Sequence, residues 1–331
     1  EVGRKRAMNI HLTLVPFIKV AGELKTKPTQ HSVGELRRIG ISPDMIICRS
    51  EMPLNRELKD KIAASCGVEK NCVIESGETT IAFVGKYVDL KESYKSLTES
   101  IIHAGASLDT RVNLKWIDSE KIEPSNVEEL LKDVDGVLVA GGFGERGVAG
   151  KMLAIKFARE NKVPYLGICL GMQLALIEFA RDVLNLEDAN SVEFNKECKN
   201  PIVYLIDSFI DAHGKKQLRT HQSPLGGTMR LGAYECQIKP NTLLSKIYGG
   251  AKVVKERHRH RYEANPKYRE SFEGKGFIIS GESDGLIEAV ELKNHPFFVG
   301  VQCHPEFTSR LTRPNPTILG FVRASVENAA K

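Results

Sequence analysis

The stretch P-Y-L-G-I-C-L-G-M-Q, residues 164–173, places one cysteine between two glycines where an apolar run gives way to a helix-like sequence. The apolar run is typical of a buried strand and residues 170–183 are typical of a helix, so Cys169 lies at the turn between them. Gly167 and Gly171 permit a tight turn, as in the G-x-S-x-G elbow that lifts a nucleophile clear of a sheet. The alternative is a buried cysteine that packs as a small hydrophobic residue. The pentapeptide alone leaves both interpretations open.

Strands and helices alternate regularly around this turn. The pattern predicts strands over 80–86, 111–118, 136–140 and 163–168, and helices over 92–105, 126–132, 149–161 and 170–183. Such alternation predicts βαβ units and a mainly parallel sheet. The tail over 227–303 is strand-rich, and a last helix is predicted over 317–329.

A smaller α/β piece precedes this domain. It has predicted strands over 10–18 and 44–48 and predicted helices over 32–39 and 55–65, with a polar loop over 25–32 before the first helix. We place the boundary near Ser76–Gly77, which gives domains 1–76 and 77–331.

Composition narrows the class of protein. The chain has 331 residues, 41% hydrophobic and 27% charged, and a net charge of +5. This charge is small for a nucleic-acid-binding protein, and no apolar run is long enough to span a membrane. The seven cysteines are scattered without a C-x-x-C pair, which argues against a disulfide framework and a zinc ribbon. We therefore expect a cytoplasmic protein with no nucleic-acid or membrane partner.

A cysteine nucleophile needs a base and a group that orients the base. Q-C-H-P-E-F, residues 302–307, supplies His304 and Glu306 after an apolar strand. Pro305 favours an extended conformation at His304, and residues two apart in an extended segment lie on one side. We therefore expect the carboxylate of Glu306 near the imidazole.

The segment G-V-L-V-A-G-G-F-G-E-R-G, residues 136–147, supplies a glycine-rich turn after a strand. Residues 142–147 match G-x-G-x-x-G, so a dinucleotide site is an alternative. The acidic residue expected about 20 positions later is absent, and the next strand ends at Cys169 instead. Backbone N–H groups of the turn and of Leu170 can stabilise an oxyanion beside a thiol nucleophile.

Together these motifs resemble a class I glutamine amidotransferase domain, which implies a flavodoxin-like, mainly parallel fold. N-S-V-E-F (190–194), G-G-T-M-R-L-G (226–232), E-R-H-R-H-R-Y-E (256–263) and K-T-K-P-T-Q-H-S (25–32) resemble segments of the CTP synthase family. The last of these is not part of a glutaminase. The resemblance implies that the first domain is a partial Rossmann-like, P-loop-type amidoligase domain.

The resemblance assigns roles by position. Cys169 would attack the side-chain amide of glutamine, His304 would carry the proton and Glu306 would orient His304. Glu193 would hold the α-amino group and Arg261 the carboxylate of glutamine. The full set implied for glutamine binding is Gly142, Leu170, Gly171, Met172, Gln173, Glu193 and Arg261.

The resemblance also implies nucleotide ligands. In this family of ligases, which make CTP in pyrimidine biosynthesis, ATP with Mg²⁺ phosphorylates the uracil O4 of UTP and ammonia displaces the phosphate. GTP activates the reaction and CTP inhibits it, and the enzymes form tetramers that can stack into filaments, so we expect a homo-oligomer. The residues implied for UTP or CTP are Lys25, Thr26, Lys27, Pro28, Thr29, Gln30 and Lys61, and those implied for GTP are Thr228 and Arg230.

The chain departs from the family pattern in its first domain. It has no G-x-x-x-x-G-K-[ST] phosphate loop and lacks the family's Mg²⁺-binding acids, so we expect no metal ligand in this chain. Residues 72–76 and 77–81 are adjacent in this chain, whereas the family has additional residues between the corresponding segments. Val192 stands where the family usually has threonine. We expect an N-terminal truncation, a missing segment near Ser76–Gly77, and the glutaminase half-reaction only.

Two other functions stay open on the sequence. The first is a binding and assembly module, in which the 1–76 piece senses nucleotide without chemistry. The second is an amidotransferase for a different acceptor, against which the K-T-K-P-T-Q-H-S segment argues.

Overall fold

The computed structural model describes residues 7–18, 20–50, 52, 54–86, 88, 90–206, 208–210, 216–218 and 229–331. The chain forms two compact units. The smaller extends to Glu78 and includes Leu108–Arg111, and the larger comprises Thr79–Ser107 and Val112–Lys331.

The smaller unit contains a parallel sheet, a short antiparallel pair of strands and two helices. Its elements are β1 (Ile10–Leu14), β2 (Phe17–Ile18), β3 (Glu23–Leu24), α1 (Lys27–Arg38), β4 (Met45–Arg49), α2 (Arg56–Cys66) and the start of β5 (Val73–Gly85). Parallel β1, β4 and β5 pair in that order. Val33 of α1 and Ile62 of α2 pack with Ile46 of β4 in a small apolar core.

Three predictions for this unit were wrong in detail. Residues 25–32 are not a loop, because α1 begins at Lys27 with Pro28 in its first turn. A proline is favourable there, since its fixed φ suits a helix and its missing N–H has no intrahelical partner. The strand predicted over 10–18 is interrupted at Pro16, which has no N–H for a ladder. The strand predicted over 80–86 starts earlier than expected, because β5 begins at Val73.

The larger unit alternates helices and strands before it becomes strand-rich. Its elements after β5 are α3 (Lys95–Ser107), β6 (Thr110–Asp118), α4 (Val127–Leu131), β7 (Gly136–Val139), α5 (Val148–Glu160), β8 (Tyr165–Ile168), α6 (Leu170–Asp182), β9 (Ala189–Ser191), β10 (Asn200–Tyr204), β11 (Ser208–Ile210), β12 (Lys216–Leu218), β13 (Arg230–Ile238), α7 (Leu243–Ile247), β14 (Val253–His260), β15 (Glu263–Ala264), α8 (Arg269–Gly274), β16 (Phe277–Ser283), β17 (Leu286–Leu292), β18 (Phe298–Val301) and α9 (Pro316–Ala329).

A parallel layer forms the centre of this unit. β5, β7, β8 and β18 pair in parallel in that order, and β17 continues the sheet antiparallel to β18. Every residue of β7, β8 and β18 is buried, as expected for strands covered on both faces. The carboxyl ends of these three strands meet at one edge, which is where ligands bind in α/β folds. The α/β fold predicted from the sequence is confirmed.

Helix boundaries in this unit fall close to those predicted. The segment predicted as one helix over 92–105 is a 3₁₀ turn, Lys91–Tyr94, followed by α3. Among the residues that the structure describes, no helix has the length and hydropathy needed to cross a bilayer.

Candidate active site

Cys169 occupies a strained turn between β8 and α6. Its φ is +53° and its ψ is −103°, a conformation that non-glycine residues rarely adopt. A Cβ on Gly171 would lie 2.3 Å from the carbonyl oxygen of Val139 on β7, and a Cβ on Gly167 would lie 2.7 Å from the Gly171 carbonyl carbon. Both glycines are therefore required by the close approach of backbone that forms the elbow.

His304 and Glu306 follow the end of β18, beside this elbow. His304 Nδ1 lies 2.8 Å from Glu306 Oε1, and the backbone N–H of His304 donates to the carbonyl of Arg257 at 2.7 Å. The extended segment predicted over 304–306 is instead a 3₁₀ turn, Pro305–Phe307, although His304 itself stays outside the helical region with φ −110° and ψ 84°. The predicted pairing of His304 with Glu306 is present, but a 3₁₀ turn rather than an extended segment brings the two side chains together.

The environment of His304 favours the imidazolium. Burial alone would lower the pKa of His304, but its hydrogen bonds with Cys169 and Glu306, and the charges of both groups, more than offset burial and raise the pKa to about 10. A cationic imidazole beside a thiol stabilises the thiolate, which is the reactive form of cysteine.

The glycine-rich turn after β7 lies against the same pair. A Cβ on Gly141 would lie 3.3 Å from His304 Cε1 and 3.5 Å from Cys169 Cβ. A Cβ on Gly142 would lie 3.7 Å from Leu170 Cδ2. Since Leu170 is the first residue of α6, its N–H has no partner within that helix. The two predicted oxyanion donors, Gly142 and Leu170, therefore neighbour one another at the nucleophile.

Charged side chains fix the far end of this turn. Lys86 Nζ donates to the carbonyl oxygens of Phe143 and Gly144, and Gly144 N–H donates to Glu193 Oε1 at 2.7 Å. Burial raises the pKa of Glu193 and lowers that of Lys86. Glu193, implied for the α-amino group of glutamine, is thus held at the turn by a backbone N–H.

Lys151 lies beneath the start of the turn. Its side chain is fully buried in α5, and its Nζ donates to the carbonyl of Ala140 at 3.0 Å. Burial, with a smaller contribution from the charge of Lys86, lowers its pKa from 10.5 to about 7, although the charge of Cys169 opposes this. A lysine with this pKa is partly neutral at physiological pH.

Two buried glutamines contact the elbow. Gln173 Nε2 donates to the carbonyl of Tyr262 at 2.9 Å and to Gln302 Oε1 at 3.0 Å, and Gln302 Nε2 lies 3.7 Å from Cys169 Sγ. Arg261, implied for the carboxylate of glutamine, is buried next to Tyr262. Gln173 therefore reaches the nucleophile through Gln302.

Other residues implied for glutamine have packing roles as well. Leu170, Gly171 and Met172 are buried in the first turn of α6. Met172 belongs to the main apolar core of the unit, and a Cβ on Gly300 of β18 would lie 3.0 Å from it.

The basic run 256–263 alternates between solvent and interior. Arg257 and Arg259 are exposed, whereas His258 and His260 are buried, as expected for a strand with one covered face. Burial holds the pKa of both histidines well below the usual value, so they are neutral at pH 7.

Arg230 lies in a buried ionic cluster. Its Nη1 is 2.7 Å from Glu288 Oε1 and 3.4 Å from Glu263 Oε1. His258, His260 and Glu288 could in principle hold a metal ion, but the guanidinium of Arg230 already pairs with Glu288, so we assign no metal there. Arg230 is implied for GTP but has its guanidinium turned inward. Thr228, the other residue implied for GTP, lies outside the described residues.

The residues implied for UTP or CTP lie in and around the start of α1. Lys25, Lys27, Pro28 and Lys61 are exposed, Gln30 is half-buried, and Thr26 and Thr29 are buried. Thr29 Oγ1 donates to the carbonyl of Leu14 at 3.3 Å, and Gln30 Nε2 donates to Thr26 Oγ1 at 3.2 Å. Lys25 pairs with Glu23, and its hydrogen bond and charge, with a smaller contribution from the charge of Lys61, lower the pKa of that carboxyl. The pair of Lys25 and Glu23 therefore lies at the surface of this unit, whereas Thr26 and Thr29 are buried.

Sequence reasoning missed three polar residues at the site: Gln302, Lys151 and Lys86. Gln302 stands two residues before His304, so the alternation of a strand could have placed both on one side. Lys151 falls between Val148 and Ala154 on the apolar stripe of α5, which marks it as a buried lysine. For Lys86, which follows β5, the sequence carries no comparable signal.

Comparison with known families identifies the parts of the chain. Residues 89–324 match the family model of glutamine amidotransferase class-I, and residues 1–102 match that of the CTP synthase N-terminus. A CTP synthase of Campylobacter jejuni subsp. doylei is 64% identical over 98% of this chain and 69% of its own length. A CTP synthase of Wolinella succinogenes is 56% identical over 99% of this chain and 68% of its own length.

Similarity to a solved structure covers the larger part of the chain. The glutaminase domain of a Trypanosoma brucei CTPS, with bound acivicin, superposes with a TM-score of 0.68 at 39% identity, over 75% of this chain and 94% of that one. The alignment with the Campylobacter protein runs over 375 positions, more than the 331 residues of this chain. That relative therefore has residues within the matched region that have no counterpart here.

Proposed function

This chain belongs to the CTP synthase family of ligases and carries the glutamine amidotransferase domain of that family, and we propose that it hydrolyses glutamine at Cys169 to release ammonia. The observation that carries the proposal is the strained elbow of Cys169, with φ +53°, next to His304 and its partner Glu306 at 2.8 Å. We assign the glutaminase to residues 77–331 and assign residues 1–76 to the amidoligase domain of the family.

Hydrolysis begins with attack of the Cys169 thiolate on the side-chain amide of glutamine. A bond forms between Sγ and the amide carbon, and the carbonyl oxygen gains negative charge that the N–H groups of Gly142 and Leu170 stabilise. The imidazolium of His304, held by Glu306, donates its proton to the amide nitrogen. The carbon–nitrogen bond breaks, ammonia leaves, and a thioester remains on Cys169.

Water completes the cycle. His304, now neutral, takes a proton from water, which attacks the thioester carbon. The carbon–sulfur bond breaks, glutamate leaves, and the thiolate and imidazolium are restored.

We assign the two charged ends of glutamine to opposite charges of the site. Arg261 binds the carboxylate and Glu193 binds the α-ammonium. Glu193 uses Oε1 to accept from Gly144, so Oε2 is the oxygen that we assign to the substrate. Because Glu193 also accepts from Gly144, the residue that recognises glutamine also positions the glycine-rich turn.

Members of this family also use ATP, Mg²⁺ and GTP. The sequence has no G-x-x-x-x-G-K-[ST] loop to hold a nucleotide phosphate, so we derive no ATP-dependent or Mg²⁺-dependent step for this chain. We propose that Lys25, Lys27 and Lys61 contact UTP or the inhibitor CTP, since their exposed ammonium groups suit the negative charge of a polyphosphate. We propose that Thr228 and Arg230 respond to GTP and that the protein is a cytoplasmic homo-oligomer.

The test is intact mass before and after treatment with a glutamine-analogue electrophile, combined with glutamine hydrolysis. We expect one adduct, mapped to Cys169, and loss of both adduct and hydrolysis in Cys169→Ser. The matched control is Cys198→Ser at a half-buried thiol, which should keep both. Undiminished hydrolysis by Cys169→Ser would refute the proposal. A change of size with CTP, measured by light scattering, in a protein without glutaminase activity would favour a binding and assembly module.

A further inference from the structure

A chain of side-chain amides connects the turn between β14 and β15 to the sulfur of Cys169. The Tyr262 carbonyl accepts from Gln173 at 2.9 Å, Gln302 Oε1 accepts from Gln173 at 3.0 Å, and Gln302 Nε2 lies 3.7 Å from Sγ. Gln302 is 0% exposed and Gln173 is 3% exposed. Water therefore does not compete for these hydrogen bonds, which strengthens them.

The carbonyl of Tyr262 fixes the orientation of both side-chain amides. A backbone carbonyl can only accept, so Gln173 must turn its NH₂ group toward Tyr262. The second hydrogen of the same NH₂ points to Gln302, which must then present its oxygen to Gln173 and its own NH₂ to the sulfur. The opposite orientation of Gln173 would place its oxygen against the carbonyl of Tyr262 without a hydrogen between them.

We propose that Gln302 is a catalytic residue that donates a hydrogen bond to the Cys169 thiolate, and that Gln173 and the Tyr262 carbonyl hold it in the donating orientation. The inference rests on the proposed hydrolysis of glutamine at Cys169 and adds a third group to that site. Sulfur is negatively charged before it attacks glutamine and again when the thioester breaks. A hydrogen bond to a charged acceptor is stronger than one to a neutral acceptor, so Gln302 stabilises the reactive form of the nucleophile.

The amide chain also links substrate recognition to the nucleophile. Tyr262 follows Arg261, which we assign to the carboxylate of glutamine. A shift of this segment moves the carbonyl that orients Gln173, and Gln173 orients Gln302. Gln173 acts through Gln302 and is therefore a positioning residue as well as a proposed contact of glutamine.

The test is the rate at which iodoacetamide alkylates Cys169 in the full chain, measured across pH without glutamine. Gln302→Glu has the shape of glutamine and can still accept from Gln173, but it replaces the NH₂ at the sulfur with a carboxylate oxygen. We expect alkylation at neutral pH to fall about 10- to 100-fold, the range for loss of a hydrogen bond to a charged group. We also expect the midpoint of the pH dependence of alkylation to rise.

Controls separate this effect from misfolding. Gln237→Glu makes the same chemical change at an exposed position on β13 and should leave alkylation of Cys169 unchanged. Gln302→Met removes the donor without adding charge, and it tests the role of Gln302 if Gln302→Glu does not fold. A rate at least about ten-fold slower in Gln302→Met supports the role of Gln302.

The two proposals fail in different ways. Wild-type rate and pH dependence of alkylation in a folded Gln302 variant would overturn the role of Gln302. A wild-type protein that is alkylated at Cys169 but does not hydrolyse glutamine would overturn the proposed function instead.

Discussion

Replacement of Lys151 by methionine should stabilise the protein at neutral pH, and this gain in the free energy of unfolding should shrink as the pH rises. The side chain is fully buried under the glycine-rich turn, where burial lowers its pKa from 10.5 to about 7. A lowering of this size corresponds to roughly 5 kcal/mol of destabilisation at or below pH 7. Methionine has a similar length and no charge to desolvate, so the variant avoids this cost.

The hydrogen bond of Lys151 offsets part of the gain. Methionine cannot donate to the carbonyl of Ala140, and a buried carbonyl without its donor costs about 1–3 kcal/mol. We therefore expect Lys151→Met to be more stable than wild type by roughly 2–4 kcal/mol at pH 7.

The pH dependence follows from proton binding. In the unfolded chain Lys151 keeps its proton up to about pH 10.5, whereas in the folded protein it loses the proton near pH 7. The unfolded state thus binds more protons between these values, so wild-type stability gains about 1.4 kcal/mol per pH unit relative to the variant. Urea unfolding of both proteins between about pH 7 and pH 9 should show the difference shrinking at this rate.

Lys156→Met is the matched control, because Lys156 lies on the same helix with its side chain 45% exposed in a surface ion pair with Asp182. Its effect should stay small throughout that pH range. A stability difference for Lys151→Met that does not depend on pH, or a variant less stable than wild type at pH 7, would refute the reasoning.

Three further substitutions test the site and its support. Glu306→Gln should lower the pKa of His304 from about 10 and reduce turnover of glutamine roughly 100-fold or more, visible in the pH–rate profile; an unchanged profile would contradict the orienting role. Gly141→Ala places a Cβ 3.3 Å from His304 and 3.5 Å from Cys169, so turnover should fall while the urea midpoint stays near that of wild type; full activity would show that this approach is not critical. Arg230→Met leaves two buried carboxylates without their guanidinium and should cost roughly 3–5 kcal/mol in urea unfolding; a cost below about 1 kcal/mol would argue against the ionic cluster.

Much of the fold was predictable because its signals are local. The periods of the apolar residues locate α5, α6 and α9 to within a residue or two, and the run before Cys169 marks β8 as a strand covered on both faces. The start of α1 was missed because Lys27, Pro28 and Thr29 look polar and loop-like, whereas a proline in the first turn is compatible with a helix. The short strands β9 and β15 lacked a periodic pattern long enough to detect.

The sequence by itself determined the chemical parts of the proposed site: a cysteine between two glycines, a histidine with a carboxylate two residues later, and a glycine-rich turn. These could be recognised because each depends on neighbours within a few positions. Only the tertiary structure decided what joins the parts. Gln302 reaches Cys169 from the position just after β18, Lys151 lies under the turn that follows β7, and Glu193 holds Gly144. Such contacts between distant segments depend on strand order and burial. The pKa of His304 and that of Lys151 are likewise set by desolvation and by charges brought close in space, which no local pattern encodes.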